Sequence, residues 1–313
     1  MVARTSFINS VKGPVFPILT PFTASGDIDF NAVENYVDFL IRSGAQTLMV
    51  TIGTSRFNLL SEQEMLDMNA CVVNAAEGKA TTIVTTPPLG SLRTSISFAQ
   101  HAERIGADAI LGVYPERYYG DDSVTDFFAE ICKSTSTGVM IHLKKMDRGA
   151  GRFPEVIPYS MDILENLYSY DNFVGMKEEC NLPDMTQKYN DKFKDKILII
   201  GGAGGMNSYL KAFYWGQPAY LVGIGSFLPK IEIEFFNHLK DGNTSKAQDI
   251  VLNYEKPFFT EAVKLGWHLA LKEALCQHGL MHSYERAPLN QLDSDSKTII
   301  KTILAENNYV SSN

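Results

Sequence analysis

AERIGADAIL, residues 102–111, repeats the pattern of LIRSGAQTLM, residues 40–49. Each reads as a helix end, a glycine, a short link and the start of an apolar strand. A glycine there closes a helix at little cost because it tolerates the left-handed conformation. The earlier copy extends back through FNAVENYVDFLIRSG (30–44), which places Phe30, Val33, Tyr36, Val37, Leu40 and Ile41 at helical spacing. Trp215-Gly216-Gln217-Pro218 marks another helix stop of this kind.

The strand half of the unit recurs along the chain. It reads VFPILT (15–20), QTLMVTI (46–52), TTIVTT (81–86) and DAILGVY (108–114) in the first half. GVMIHL (138–143), NFVGMK (172–177), KILIIG (196–201) and AYLVGIG (219–225) follow. Such short, mostly apolar runs are the signature of parallel strands covered on both faces. The eight runs begin roughly 23 to 35 residues apart, room for one helix in each gap. The count predicts an α/β fold, a (β/α)8 TIM barrel, over an open doubly wound sheet. Residues 1–228 are read as the barrel carrying the active site and 229–313 as a C-terminal helical extension packed on it. The extension shows helical stretches at 229–241, 243–256, 259–278 and 293–307.

Composition narrows the function. The chain has 313 residues, 45% of them hydrophobic, and 28 basic against 36 acidic side chains for a net charge of −8. That balance argues against nucleic acid or an anionic membrane as main partner. No apolar run nears the roughly 20 residues of a membrane span. The start, MVARTSFINSVKG, lacks the apolar core of a signal peptide. Cys71, Cys132, Cys180 and Cys276 form no CxxC pair, so neither a zinc site nor a disulfide framework is expected. A cytoplasmic enzyme is the expectation.

In barrels of this kind catalysis sits at the C-terminal strand ends. Lys177 ends its strand, and alternation places Phe173, Gly175 and Lys177 on one side. An amine at the mouth of an apolar interior is disfavoured as ammonium, and a neutral amine attacks ketones to form a Schiff base. The competing reading is a strand-end lysine paired with Glu178 or Glu179. Met140, His142 and Lys144 share one side of the neighbouring strand, and His142 is suited to proton transfer or to a structural hydrogen bond. The turns Gly201-Gly202-Ala203-Gly204-Gly205 and Gly223-Ile224-Gly225-Ser226 provide a phosphate cradle, tight turns or ligand room. Gly202 and Gly225 are the binding candidates there. Thr54 and Ser55 are carboxylate binders or plain helix caps.

Seven segments in order resemble the N-acetylneuraminate lyase and dihydrodipicolinate synthase family. VFPILTPF is similar to the opening strand, and GTSRFNLLSEQE to the family's GTTGE-x-x-x-LS-x-EE loop. RTSISFAQHAERIGADAIL, PERYYG and NFVGMKEE resemble the fourth unit, the tyrosine pair and the lysine strand. YLKAFYWGQPAYLVGIGSFLP and ERAPLNQL are similar to the later barrel and tail. The resemblance implies that Lys177 is the Schiff-base lysine for pyruvate or a related 2-oxo acid. It implies that Thr54 and Ser55, or Gly53 and Thr54 one register back, hold the carboxylate. Tyr119 matches a tyrosine that reaches the neighbouring subunit's site, implying a dimer or tetramer. Arg148 falls one position from a substrate-carboxylate arginine.

Departures shape the expected activity. The family's L-Y-N-x-P-G-R strand reads I-H-L-K-K-M-D-R here, which puts His142 in place of the relay tyrosine. Arg56 replaces the GTTGE glutamate, and Ala203 and Gly204 stand where sugar-binding members carry acidic residues. The expected activity is aldol cleavage or dehydration of a 2-keto-3-deoxy sugar acid. Dihydrodipicolinate synthase-like condensation of pyruvate with an aldehyde is the alternative, and a non-catalytic keto-acid-binding barrel the reading from another class. No metal or organic cofactor is called for, because a protonated imine already withdraws electrons.

Overall fold

In the computed structural model the described residues are 4–115, 117–144, 146–147, 156–180, 182–202 and 204–306. Eight parallel strands close into a barrel: β1 Gly13–Pro17, β2 Thr47–Met49, β3 Thr81–Thr85, β4 Ala109–Gly112, β5 Gly138–Lys144, β6 Phe173–Glu179, β7 Leu198–Gly201 and β8 Ala219–Leu221. Each strand pairs with its neighbours in sequence, and β8 closes on β1 through Gly13, Pro14 and Val15 against Ala219, Tyr220 and Leu221. The expected (β/α)8 barrel is the fold. A short antiparallel pair, Met146–Asp147 with Val156–Ile157, follows β5.

Helices α1 (Arg4–Ser10), α2 (Phe30–Arg42), α3 (Glu62–Ala76), α4 (Leu92–Ile105), α5 (Asp121–Lys133), α6 (Met161–Leu167), α7 (Pro183–Phe193) and α8 (Met206–Tyr214) belong to the barrel half. Their ends follow local chemistry. Asp29 accepts the Ala32 amide ahead of α2, and Ser61 and Glu64 cap α3 reciprocally. Gly106 ends α4 with φ near 77°, as the repeated pattern requires.

Strand alternation sorts the apolar residues into two cores. Val15, Met49, Ile83, Leu111, Met140, Leu198 and Leu221 fill the barrel, and Phe7 and Val11 join them from the N-terminal segment. Helix α1 therefore plugs the barrel at the end away from the site, with Arg4 Nε bonded to the Phe173 carbonyl at 2.8 Å. The larger core lies between strands and helices. Phe173 belongs to that outer core and not to the side of Lys177. The register against β5 jumps from Val139–Phe173 to Met140–Gly175, so one extra residue in β6 turns Phe173 outward and Val174 inward. The bulge also crowds Gly175, where a Cβ would lie 2.6 Å from the Leu198 carbonyl.

The last helices are α9 (Pro229–Lys240), α10 (Thr244–Ile250), α11 (Lys256–Ala262), α12 (Trp267–Gln277) and α13 (Ser294–Glu306). A π-helical turn over Val251–Glu255 joins α10 to α11. The stretch expected to be one helix over 259–278 breaks ahead of Gly266, whose φ is near 81°. Among the described residues no helix is long and apolar enough to cross a membrane.

Candidate active site

Lys177 lies two residues before the end of β6 and is 3% exposed. His142 is its direct register partner on β5, and Lys144 pairs in register with Glu179. Parallel pairing at equal strand depth brings all four side chains to one end of the barrel. Lys177 Nζ stands 3.1 Å from His142 Nε2. The Glu179 carboxylate accepts from Lys177 Nζ, and the same oxygen, Oε2, lies 2.7 Å from His142 Nε2. Of the two acidic neighbours considered for Lys177, Glu179 is the partner. Glu178 points to the other face, where it accepts from the Cys180 amide at 2.8 Å and the Thr186 hydroxyl at 2.9 Å.

Burial, together with the Lys177 charge, pushes the His142 imidazole down to about 4 despite the hydrogen bond to Glu179. It is neutral at physiological pH. Burial pushes the Glu179 carboxyl up, but the His142 hydrogen bond and the Lys177 charge outweigh it, leaving about 2. Lys144 is lowered by burial, with the Glu179 charge opposing. His142 Nδ1 is buried without a hydrogen-bond partner among the described residues.

Gly202 follows β7 and donates its amide to the Glu178 carbonyl at 2.6 Å. A Cβ there would lie 3.0 Å from Lys177 Nζ, so the glycine keeps the space beside the amine open. Gly225 answers a packing demand instead: a Cβ would meet Val222 at 2.9 Å and Glu232 at 3.0 Å.

After β2 the chain makes a tight turn over Gly53–Ser55. Thr51 and Arg56 bracket it with φ near 56° and 63°, a conformation costly for residues with a Cβ. The Ser55 hydroxyl donates to the Ile18 carbonyl at 2.5 Å, and its carbonyl accepts from Thr20 Oγ1 at 2.5 Å. Ser55 therefore anchors the turn, while the Thr54 hydroxyl bonds to no other described residue. The first amides of such a turn have no partner within it. Arg56 is only 4% exposed, and a two-pronged ion pair ties it to Glu285, at 2.7 and 3.3 Å. Lys272 stands 3.6 Å from the same carboxylate.

Tyr119 is 66% exposed and is not gathered with Lys177 within this chain. Its neighbour Tyr118 donates to Asp121 at 2.8 Å. Arg148 and Ala203 lie outside the described residues.

At the first glycine-rich turn the anion-binding position, the α8 N-terminus, is already occupied. The Glu255 carboxylate accepts from the Met206 and Asn207 amides at 2.6 and 2.7 Å, filling that anion site from within the chain. Gly205 makes room for it, since a Cβ would overlap a Glu255 oxygen. Burial raises the Glu255 carboxyl to about 7 against the pull of these amides. His268, in the first turn of α12, is another residue that local sequence patterns missed. Burial and then the Arg56 charge hold it down near 4, with the Glu179 charge opposing.

A family model for the dihydrodipicolinate synthetase family matches residues 10–307. A Bacillus subtilis protein named "Probable 5-dehydro-4-deoxyglucarate dehydratase" is 24% identical over 237 residues, covering 75% of this chain and 73% of that protein. The crystal structure of dihydrodipicolinate synthase from Oceanobacillus iheyensis superposes with TM-score 0.83 at 20% identity, covering 98% of this chain and 99% of that one. N-acetylneuraminate lyase from Fusobacterium nucleatum also gives 0.83, at 16% identity over 94% and 98% of the two chains.

Proposed function

Because the chain belongs to the dihydrodipicolinate synthetase family, whose members are class I lyases and aldolases, we propose that Lys177 forms an imine with the C2 carbonyl of a pyruvate-type 2-oxo acid. The substrate class is a 2-keto-3-deoxy sugar acid, undergoing aldol cleavage or loss of water. One observation carries the reading: a buried amine at the C-terminal end of β6 touches two proton-carrying groups and faces a gap kept open by Gly202.

The chemistry runs through the protonated imine. Nζ attacks C2, water leaves, and the C=N bond becomes an electron sink. In aldol cleavage a base removes the proton of the C4 hydroxyl, the C3–C4 bond breaks, and its electron pair enters the imine as an enamine. Protonation at C3 and hydrolysis then release pyruvate. In dehydration a C3 proton is removed and the C4 hydroxyl leaves as water. His142, neutral and beside Nζ, is the proton carrier for these steps. In this reading the amides of Gly53 and Thr54 and the Thr54 hydroxyl hold the 2-oxo acid carboxylate, supported by the bond through which Ser55 fixes the turn. Lys177 and Lys144 against Glu179 leave surplus positive charge at the ends of β6 and β5, as an anionic substrate requires. Tyr119 is exposed to reach a neighbouring copy in a homo-oligomer. The name of the Bacillus subtilis relative favours dehydration. Synthase-like condensation of pyruvate with an aldehyde would use the same enamine. The protein is expected in the cytoplasm.

Incubation with pyruvate and borohydride tests the imine. A mass increase confined to Lys177 is expected, and no adduct with any 2-oxo acid would remove the Schiff-base reading. A panel of 2-keto-3-deoxy acids, scored for pyruvate release and for loss of water, identifies the reaction.

A further inference from the structure

Imine chemistry needs the Lys177 amine to lose a proton and later needs an acid to expel a hydroxyl. Among the described residues, the side chains hydrogen-bonded to Nζ are His142 and Glu179. A carboxylate only accepts and an ammonium only donates. The Nε2 atom of a neutral His142 lies closer to Glu179 Oε2, at 2.7 Å, than to Lys177 Nζ, at 3.1 Å. The shorter contact assigns the hydrogen to Nε2, pointed at Glu179, so Nε2 presents no lone pair to the amine. The acceptor that faces the lysine protons is therefore Glu179. Its side chain is 36% exposed where that of Lys177 is 4%, which places the carboxylate between the buried amine and solvent.

We propose that Glu179 is the proton-transfer group of imine formation and hydrolysis, taking a proton from Lys177 Nζ and returning it to the carbinolamine hydroxyl. The assignment rests on the Schiff-base reading above. The ammonium gives one proton to the carboxylate, and the freed amine bonds to C2. A second proton moves from nitrogen to the new alkoxide, making the carbinolamine. The Glu179 acid then protonates that hydroxyl, the C–O bond breaks, and water departs. The protonated imine keeps the third proton and the carboxylate is restored. His142 holds the Glu179 oxygen in place through Nε2–H.

The low proton affinity of Glu179 at rest comes from the His142 hydrogen bond and from the Lys177 charge. Once Nζ is neutral the lysine's share of that lowering is gone, and burial then opposes the His142 hydrogen bond alone, which moves the carboxyl up. The groups facing it are Lys177 on its own strand, His142 and Lys144 on β5, and His268 from α12.

Time-resolved trapping with pyruvate and borohydride tests the assignment on the full-length protein. Glu179→Gln keeps the shape but cannot take a proton, and the rate of adduct formation at Lys177 is expected to fall about a hundredfold or more, as for loss of a general acid–base. Glu179→Asp restores part of the rate. Exchange of the pyruvate C2 oxygen with labelled water, which requires the same carbinolamine, falls in parallel. If Glu179→Gln fails to fold, Glu179→Asp against Glu179→Asn makes the same comparison, with the acid expected to outrun its amide. Trapping in wild type with an equal rate in the amide variant overturns the role of Glu179 alone. Absence of any adduct in wild type overturns the Schiff-base reading and this assignment with it.

Discussion

Replacing Glu285 by glutamine should destabilise the protein far more than replacing its partner Arg56 by methionine. The side chains of Arg56 and Glu285 are 5% and 1% exposed, and Lys272, at 2%, stands 3.6 Å from the same carboxylate. Glu285→Gln leaves two buried cations facing a neutral amide. Removing one member of a buried pair in this way costs about 3–5 kcal/mol. Arg56→Met leaves the carboxylate still compensated by Lys272, so the loss is nearer the 1.5–3 kcal/mol, roughly, of a hydrogen bond to a charged group. An unfolding entropy of about 2 cal/mol/K per residue over 313 residues gives roughly 0.7 kcal/mol per degree, so Glu285→Gln should lower Tm by about 4–7 °C. pH gives an independent check. Burial already pushes the Lys272 ammonium down to about 8, with the Glu285 charge opposing. A lysine depressed on folding opposes stability while it is charged, so that penalty is relieved as pH rises from 8 towards the unfolded value of 10.5. Without Glu285 the folded value drops further and the relief begins below pH 8. Thermal melts from pH 6 to 9 should therefore show the deficit of Glu285→Gln shrinking as pH rises. Equal Tm losses for the two variants, or a deficit that grows with pH, would refute the reasoning.

His142→Phe should abolish turnover while borohydride trapping at Lys177 persists at a reduced rate, because Glu179 loses its Nε2–H anchor; unchanged turnover removes His142 from the proton transfers. Gly202→Ala places a methyl 3.0 Å from Lys177 Nζ and 2.9 Å from the Glu178 carbonyl, so adduct formation should slow at least tenfold, read by mass at fixed times. Glu255 is raised to about 7 in the folded state, so its contribution to stability is complete below the unfolded value near 4.5 and fades as pH rises through 7. Denaturation of Glu255→Gln between pH 5 and 8 should accordingly lose the decline shown by wild type, and parallel curves would contradict the assignment.

The strands were legible because burial on both faces leaves continuous apolar runs, and the repeat of helix, glycine and strand set their order. Strand-end position and alternation were enough to pair Lys177 with His142. Alternation failed at Phe173, because a single inserted residue reverses every side chain beyond it and no sequence period announces a bulge. The break ahead of Gly266 was hidden by apolar residues on either side, which continue a helical pattern through a position that the backbone leaves. Arg56 and Glu285 lie 229 residues apart, and only the closed fold makes them neighbours. Glu179 was in view as a salt-bridge partner, but its hold on both Lys177 and His142 depends on side-chain reach across two strands.

The residues past β8 do more than cover the barrel. Glu232, from the first turn of α9, lies fully buried against Gly225, where burial and then the Glu255 charge raise its carboxyl well above the ordinary range. Glu255 closes the turn after β7 by occupying the amides of α8, and Glu285 pins the turn after β2 through Arg56. Glu255 and Glu285 thus fix two strand-end turns from behind, and Glu232 packs against the third. This changes how the net charge of −8 bears on substrate binding. Acidic groups paired inside the protein add little repulsion toward the 2-oxo acid proposed as substrate, whereas Lys177 and Lys144 stand at the ends of β6 and β5. Because Glu255 fills the α8 terminus, the proposed reading assigns anion recognition to the Gly53–Ser55 turn and those two lysines. A carboxylate one bond from the reacting carbonyl can be held there while the imine forms on its neighbouring carbon.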